Sequence, residues 1–406
     1  MSQRPRLLFV SPRFLFPADQ GGKIRTTQIL RGMRGGRFEI ILASPEPVGA
    51  TQKYADDLAA VCDRFLGWPE LPRGRLHGLT RLRHLLSALP VPVIDDYSPA
   101  GAHQVQQALV EADLVVFDFL HAMILAPERF DCPSVLFTHN VEAEIFRRHA
   151  EVSTHPVKKA VWRQQFRKMQ AYEQTSLRRF ATVVAVSQRD ADTFKAIADI
   201  GRVATIPTGV DLDFFAYQTP SDNEHIVFTG AMDWQANIDG ITWFMDAIWP
   251  QVAAQRPQAR VTIVGRNPSP LLVERARRRK LPFTFTGFVD DIRPHVHAAA
   301  AYIIPLRVGG GTRIKAFEAM AMGLPVVSTG LGVEGLPITA DTHYLHADTA
   351  EAFSAALVRL LADRDLAAQL SCRARDYVAT HCSSQAVARC FEAICWDTFQ
   401  AGSLSD

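Results

Sequence analysis

The sequence predicts an α/β fold made of two domains, each built around a parallel β-sheet. The chain has 406 residues, which is enough for two domains of ordinary size with separate cores. Short runs of β-branched and aromatic residues alternate with helical patterns along its whole length, as in sheets assembled from strand-helix-strand units. A segment rich in turn-forming residues and without hydrophobic periodicity, 207–225, separates the two halves.

The predicted strands follow from those apolar runs. They are 6–10, 38–44, 113–118, 134–138 and 181–187 in the first half, and 225–230, 259–265, 283–287, 301–306 and 325–329 in the second. Helices are predicted between them, among them 238–249, 312–322 and 351–363. Open α/β sheets bind ligands outside the carboxyl ends of their strands, so the loops that follow the strands are the candidate sites.

Composition excludes several classes of protein. A hydrophobic content of 48% and a charged content of 21% are typical of soluble globular chains, and a net charge of +2 predicts no nucleic-acid partner. The chain lacks both an apolar run of about 18 residues and the apolar region of a signal peptide, so a cytoplasmic location is predicted. Six cysteines without metal-ligand spacing predict reduced, buried thiols and no metal site.

The stretch GGGTRIKAFEAMAMG (309–323) carries the main functional prediction. Gly309, Gly310, Gly311 and Thr312 lead into a helix that has Arg313 and Lys315 in its first turn. Helix N-termini already carry a positive partial charge, so two cations there are unusual. An anion such as a diphosphate, approached by the glycine amides, would account for them. The alternative is that both cations point into water and the glycines only turn the chain.

Glu318 argues against that alternative. At helical spacing it falls at the edge of an apolar stripe formed by Ile314, Phe317 and Ala321, so its carboxylate is not expected to be freely solvated.

A similar arrangement occurs in the first half. Gly21 and Gly22 follow the first strand, and a helix is predicted to begin after them with Lys23 and Arg25 in its first turn. The spacing fits neither the G-x-G-x-x-G pattern nor the P-loop, so a nicotinamide dehydrogenase and a P-loop NTPase both lose support.

Further candidates stand at other strand ends. His139 directly follows the strand 134–138, where a neutral imidazole could bond a substrate hydroxyl, the alternative being a local cap or packing partner. Gly230 and Ala231 would let the backbone approach a ligand, and Asn237 is predicted to cap the next helix. Ser187 is predicted to cap the helix that follows the strand 181–187.

Two more strands of the second half end in glycine. Gly265 ends the strand 259–265, and Gly287 ends the strand 283–287. The main chain around Phe288 and Val289 is predicted to hold a nucleotide base.

The segment 147–179 carries nine Lys or Arg against Glu151 and Glu173. Trp162, Phe166 and Met169 recur at helical spacing, which predicts a basic amphipathic helix over 157–179. Such a helix can contact anionic lipid at a membrane surface, or it can pack its apolar stripe on the domain and leave the basic face in water.

These motifs together resemble a known family. PLRVGGGTRIKAFEAMAMGLPVVST (305–329) resembles the donor-binding signature of the retaining glycosyltransferases of group one, or glycosyltransferase family four, which have the GT-B fold of two Rossmann-like domains facing a cleft. THN at 138–140, VSQRD at 186–190, IPTGVD at 206–211, GAMDWQANIDG at 230–240 and TGFVDDIRP at 286–294 extend the resemblance over nearly the whole chain. GAMDWQAN with FVDDIRP is most similar to sugar transferases of exopolysaccharide clusters.

The resemblance implies an acceptor domain over 1–206, completed by a final helix within 384–406, and a nucleotide-sugar donor domain over 207–383. It implies a glycan or lipid-linked acceptor, retention of anomeric configuration, and no metal or cofactor. By the same resemblance Glu318 would bind the donor ribose, Arg313 and Lys315 would lie near the diphosphate, Gly21 and Gly22 would approach diphosphate or sugar, and His139 would contact the sugar.

The sequence departs from the family pattern at two places. The first of two glutamates in many relatives falls at Gly310, and an Arg and a Lys that often follow the glycine matching Gly230 are absent. Arg313 and Lys315 are hypothesised to replace those cations. Two other functions stay open: a UDP-sugar epimerase of the same architecture, and a protein that binds nucleotide sugars without catalysis.

Overall fold

The computed structural model describes residues 4–19, 21–70, 77–153, 155–308 and 313–403. The chain divides into two compact units. Unit 1 comprises Met1–Pro207 and Val387–Asp406, and unit 2 comprises Thr208–Ala386. The predicted boundary after residue 206 lies next to this division.

Unit 1 is organised around a seven-stranded parallel sheet with the strand order β3-β2-β1-β4-β5-β6-β7. Its strands are β1 (Arg6–Val10), β2 (Glu39–Glu46), β3 (Arg64–Pro69), β4 (Leu114–Asp118), β5 (Ser134–Phe137), β6 (Thr182–Ala185) and β7 (Arg202–Thr205). The sequence analysis missed β3 and β7, the two edge strands, because they are only half covered and lack a continuous apolar run.

Helices connect these strands. They are α1 (Gly21–Met33), α2 (Ala50–Lys53), α3 (Ala55–Ala59), α4 (His77–His84), α5 (Val91–Asp95), α6 (Pro99–Leu109), α7 (Glu142–Val152), α8 (Pro156–Leu177) and α9 (Gln188–Ile197), with a 3-10 turn at Leu120–Leu125. Ser187 caps α9 as predicted, because its side chain accepts a hydrogen bond from the Asp190 amide at 3.1 Å.

Unit 2 repeats the architecture with a six-stranded parallel sheet of order β10-β9-β8-β11-β12-β13. The strands are β8 (His225–Thr229), β9 (Arg260–Val264), β10 (Phe283–Phe285), β11 (Ala301–Ile304), β12 (Val326–Ser328) and β13 (Leu345–His346). The two-residue β13 was not predicted, because so short an edge strand leaves no pattern in the sequence.

The helices of unit 2 cover both faces of that sheet. They are α10 (Gln235–Trp243), α11 (Trp249–Gln255), α12 (Pro270–Arg278), α13 (Arg293–His297), α14 (Ile314–Ala321), α15 (Ala350–Ala362) and α16 (Arg364–Tyr377). The predicted helix 238–249 is divided: a π-helical segment, Phe244–Ile248, joins α10 to α11.

The predicted final helix is present as α17 (Ser384–Ser403). From Val387 onward it belongs to unit 1, where Val387, Phe391 and Cys395 are fully buried in the core beside Phe38. The spacing of four residues places these apolar side chains on one face of the helix. α17 therefore completes unit 1 although it lies at the end of the chain.

The basic helix α8 packs its apolar stripe against unit 1. Met169 is fully buried, Trp162 and Phe166 pack against the same core, and Trp162 stacks on His149 of α7 at a ring distance of 4.7 Å. Arg163 and Arg167 remain exposed on the other face. The predicted packing of the apolar stripe on the domain is thus present, and the predicted contact of the basic face with lipid stays a prediction.

The prediction for the cysteines is half right. All six are free thiols, and Cys62, Cys382 and Cys395 are buried. Cys372 and Cys390 are exposed, because each lies on the outer face of a surface helix. Among the described residues, no helix is both long and apolar enough to cross a membrane.

Candidate functional site

The start of α14 brings two cations together in unit 2. Arg313 occupies the N-cap position and Lys315 the second helical residue, since the helix begins at Ile314 rather than at the predicted residue 312. Arg313 is only 5% exposed, and burial lowers the pKa of its guanidinium although the charge of Glu334 opposes this. The predicted ligand-binding residues Gly309, Gly310, Gly311 and Thr312 lie outside the described residues.

Lys315 lies in surroundings that disfavour its charge. Its Nζ donates to the neutral Oδ1 of Asn237 at 3.3 Å and stands 4.5 Å from the ring centre of Phe228. Burial, and secondly the charge of Arg313, lower the pKa of Lys315 to about 8, although Glu318 opposes the shift. A bound anion would reverse this effect.

Gly230 makes room for that ammonium group. A Cβ at this position would lie 2.9 Å from Lys315 Nζ and 2.8 Å from Asn237 Nδ2, which is closer than real Cβ contacts. Asn237 does not cap α10 as predicted, because the helix already begins at Gln235. Its amide instead donates to the Ala231 carbonyl at 2.8 Å and accepts from Lys315, so Asn237 links the loop after β8 to α14.

Gly265 is required by a second close approach. A Cβ there would overlap the backbone carbonyl of Gly230, so only glycine lets the loops after β8 and β9 pass at this distance. Gly265 also forms a bridge with Gly287. The glycines predicted after β8, β9 and β10 therefore lie next to one another at the carboxyl ends of these strands. Phe288 beyond them is 73% exposed, whereas Val289 packs against the core.

Glu318 is half-buried, as its position on the helical wheel predicted. Burial raises the pKa of its carboxyl to about 7, and Lys315 opposes the shift. The fully buried Tyr302 interacts with the charge of Glu318 and shares a short hydrogen bond with Thr229. The cluster thus places a carboxyl that titrates near neutrality within one helical turn of a lysine that does the same.

In unit 1 the turn Gly21-Gly22 begins α1 directly. A Cβ on Gly21 would meet no atom within 4 Å, whereas one on Gly22 would overlap the ring of Phe119. Lys23 Nζ lies 3.5 Å from the Pro17 carbonyl and 4.0 Å from Asp19. Arg25 lies in the second turn of the helix rather than the first.

His139 is buried at the end of β5 with both ring nitrogens bonded to protein groups. Nε2 lies 2.7 Å from Asp118 Oδ1, and Nδ1 lies 3.3 Å from the Arg25 guanidinium. Because a guanidinium only donates, Nδ1 must accept and Nε2 must carry the proton. Burial lowers the pKa of His139, against the charge of Asp118, and the ring stacks on Phe119 at 3.7 Å. Without a ligand, His139 therefore has the local packing role that was predicted as the alternative, and its contact with a sugar stays a prediction.

Asp118 is the residue of this cluster that sequence reasoning missed. It is fully buried and also accepts from Thr26 Oγ1 at 3.0 Å and Ser11 Oγ at 3.3 Å. Its signal in the sequence is a single acid at the end of the apolar strand LVVFD. The next residue, Phe119, has a left-handed backbone with φ of 65°, which is uncommon for a bulky side chain.

The described residues contain no group of three or more His, Cys, Asp or Glu side chains arranged to hold a metal ion.

Two family profiles match the chain. Residues 20–214 match the profile described as glycosyltransferase family 4, and residues 223–363 match the one described as glycosyl transferases group 1. The profiles include Asp118 and His139 of unit 1 and Gly230, Lys315 and Glu318 of unit 2.

Curated relatives match over part of their length. A phosphatidyl-myo-inositol mannosyltransferase of Mycolicibacterium smegmatis is 30% identical over 183 residues, which are 43% of this chain and 46% of the relative. An uncharacterised 44.6 kDa protein from the cps region of Klebsiella pneumoniae is 23% identical over 119 residues, or 28% of this chain and 31% of the relative. The matched regions thus span less than half of either relative.

A solved structure shows the same fold over nearly the whole chain. Anabaena HepE, crystallised in complex with UDP and glucose, is 15% identical and superposes with a TM-score of 0.62, covering 97% of this chain and 100% of HepE. At this identity the likeness establishes the GT-B fold alone.

Proposed function

The chain belongs to the family 4, group 1 glycosyltransferases, and on this basis we propose that it transfers a hexose from a nucleoside diphosphate sugar to a glycan or lipid-linked acceptor with retention of configuration. The observation that carries the proposal is the position of Lys315. A sugar nucleotide as donor agrees with three of the similar proteins. One is a mannosyltransferase, one comes from a cps region, and the third, HepE, was crystallised with UDP and glucose.

Lys315 compensates for the cations that this sequence lacks after Gly230. Its Nζ lies against the Gly230 loop, because a Cβ on Gly230 would be only 2.9 Å from this atom. The hypothesis that Arg313 and Lys315 replace the missing Arg and Lys is therefore supported by geometry for Lys315. A diphosphate beside Nζ would restore the charge that burial disfavours, and the start of α14 would add its dipole.

The chemical step needs stabilisation of the departing nucleoside diphosphate. As the bond from the anomeric carbon to the β-phosphate oxygen breaks, negative charge accumulates on that phosphate, and a fixed cation there lowers the barrier by about 3 kcal/mol. The acceptor hydroxyl forms the new bond on the same face and its proton passes to the leaving phosphate. No enzyme nucleophile and no resident metal is needed in this scheme. Glu318, with a pKa of about 7, is suited to bonding the donor ribose.

Unit 1 is proposed to bind the acceptor. The exposed basic face of α8, with Lys158, Arg163 and Arg167, is further proposed to make peripheral contact with an anionic membrane. Co-sedimentation with phosphatidylglycerol vesicles, but not with phosphatidylcholine vesicles, at 150 mM salt (about the physiological ionic strength) would support the contact. Equal recovery with both would contradict it.

Incubation with a panel of UDP, GDP, ADP and dTDP sugars tests the function. Transfer, or slow release of free sugar with retained configuration, supports the transferase. Epimerisation at C2 would identify the epimerase instead, and nucleotide binding without turnover would identify the non-catalytic protein.

Arg313→Ala is expected to raise the donor dissociation constant by about tenfold, since hydrogen bonds to charged groups contribute about 1.5 kcal/mol or more.

A further inference from the structure

A second buried cluster in unit 1 has no part in the function proposed so far. It centres on His121, in the turn after β4. The Nδ1 atom of His121 lies 3.2 Å from Asp96 Oδ2, and Nε2 lies 3.7 Å from Glu142 Oε2. The three side chains are only 15%, 5% and 11% exposed, respectively. This is a histidine held between two nearly buried carboxylates.

The two sides of the imidazole differ. The contact with Asp96 is a hydrogen bond, which orients the ring and keeps the proton on Nδ1. The gap to Glu142 is too long for one, and Nε2 is buried without a hydrogen-bond partner among the described residues. A buried nitrogen without a hydrogen-bond partner destabilises the fold, so we expect a polar group of a ligand to bond His121 Nε2 in the functioning protein.

The backbone holds Glu142 firmly in position. Glu142 is the first residue of α7, and the buried Glu173 of α8 accepts hydrogen bonds from the Glu142 amide at 2.8 Å and the Ala143 amide at 3.4 Å. Burial raises the pKa of Glu173 to about 8 although these amides oppose it. The Glu173 carboxyl of α8 thus fixes the backbone at the start of α7, from which the Glu142 side chain extends to His121.

The cluster also stands where ligands of such sheets bind. His121 follows β4 and Glu142 follows β5, two neighbours in the parallel sheet, so both lie at its carboxyl edge. Arg13, which follows the adjacent β1, is exposed and acts on His121 through its charge. Burial lowers the pKa of His121, but Asp96 and Glu142 outweigh burial and Arg13, so the net shift is upward.

We propose that His121 and Glu142, oriented by Asp96, form a subsite that binds one hydroxyl group of the acceptor sugar. An oxygen can stand about 2.8 Å from both atoms of a pair separated by 3.7 Å. In the protonated form of His121, such a hydroxyl accepts from Nε2–H and donates to the Glu142 carboxylate. A sugar hydroxyl offers this combination of one donor and two lone pairs, whereas an anionic group would be repelled by Glu142 and Asp96.

The inference rests on the proposed function only where it names the bound sugar as the acceptor. Its test measures sugar binding and needs no transfer from a donor. A panel of methyl hexopyranosides at millimolar concentration is the probe, and saturation-transfer NMR measures binding to the full chain. Glu142→Gln and His121→Gln each retain much of the side-chain shape and remove one partner of the hydroxyl. His346→Gln is the matched control, because His346 pairs with Asp348 at 2.8 Å on the surface of unit 2.

Glu142→Gln and His121→Gln are expected to weaken binding of the preferred hexoside about tenfold or more, because each leaves a buried partner unsatisfied. The control should bind as the wild type does, and all three variants should keep the thermal shift given by UDP or GDP. Circular dichroism melting identifies a variant that has lost its fold, in which case Asp96→Asn replaces it.

The proposal is overturned if the wild type binds no hexoside, or if folded Glu142→Gln and His121→Gln bind it as well as the control does. Hexoside binding that depends on these residues, in a protein that no nucleotide stabilises, would instead contradict the transferase function while leaving a sugar site in unit 1.

Discussion

Each unit brings cations to the start of a helix that has glycines at or before its start in the sequence, but the surroundings of these cations differ between the two units. In unit 1 the Arg25 guanidinium contacts His139, which is bonded to the fully buried Asp118. Burial lowers the pKa of Arg25, and the charges of Asp118 and Asp190 oppose this shift. In unit 2 the ammonium of Lys315 donates to a neutral amide and faces an aromatic ring. Two aspartates thus oppose the effect of burial on Arg25, whereas Glu318 opposes it on Lys315 and the charge of Arg313 adds to it. The proposed diphosphate would supply the further negative charge in unit 2.

The largest expected effect is the loss of the counter-charge in unit 1. Asp118→Asn removes the charge of a buried carboxylate that accepts hydrogen bonds from His139, Thr26 and Ser11. Because a buried charged network is broken, the free energy of unfolding should fall by about 3–5 kcal/mol. Asp397→Asn is the control, since Asp397 pairs with Arg202 at 3.0 Å but is 54% exposed, and it should cost less than about 1 kcal/mol. Urea denaturation measures both. Equal, small losses would show that the unit 1 network is not a built-in counter-charge.

Lys315→Met should weaken nucleotide binding without lowering the stability of the unliganded protein, unlike Asp118→Asn. Nucleotide diphosphate affinity is expected to fall about 30- to 100-fold, because a hydrogen bond to a charged group is removed. Since a lowered lysine pKa means that folding disfavours the charge, the unliganded variant should be at least as stable as the wild type at pH 7. Isothermal titration with UDP or GDP measures the first effect and thermal melting the second.

Lys23→Met in unit 1 is the matched change for that experiment. Lys23 contacts Pro17 and Asp19 at the start of α1, and its loss should alter nucleotide affinity by less than about threefold. If the two methionine variants weaken binding equally, the difference between the units does not hold.

The pH dependence of nucleotide affinity sharpens the comparison further. Lys315 has a pKa of about 8 without ligand, so it is charged below that pH and neutral above it. Affinity for the diphosphate should therefore fall as pH rises above 8, approaching tenfold per pH unit. In Lys315→Met the slope over pH 8–9 should disappear. A wild-type affinity that stays constant over this range would exclude Lys315 as the cation that binds the phosphates.

Alanine at the glycine turns has smaller expected effects that differ between the units. Gly230→Ala pushes against Lys315 and Asn237 and should weaken nucleotide binding about tenfold by displacing the ammonium group. Gly21→Ala enters open space in the unliganded protein. Its binding of nucleotide should change by less than about twofold unless the ligand itself approaches Gly21. A large loss in Gly21→Ala would extend the donor site to unit 1.

The smallest expected effect is that of chelation. Because Lys315 and the start of α14 are proposed to stabilise the leaving diphosphate, transfer should stay within about twofold after EDTA treatment. Restoration of lost activity by Mg²⁺ or Mn²⁺ would contradict the proposal that no metal takes part.

The sequence by itself determined the fold class and most strands, and the family resemblance implied the final helix that completes unit 1. Buried parallel strands such as β4 and β8 are continuous apolar runs, so their pattern survives in one dimension. The sequence also placed Gly230, Gly265 and Gly287 after successive strands, because turns at strand ends leave a local signal. The edge strands β3, β7 and β13 escaped, since half-covered or very short strands have no such pattern.

Only the tertiary structure decided which partners these residues take. Asn237 was predicted to cap a helix, but its amide joins Lys315 to the Gly230 loop. His139 was predicted to contact a substrate or to pack locally, and the sequence did not show that Asp118 and Arg25 are the partners of its two nitrogens. His121, Asp96 and Glu142 come from three separate segments and showed no common motif. Hydrogen bonds and charge interactions act through space, so pairs that are distant in the chain acquire their chemistry only when the strands and helices have packed.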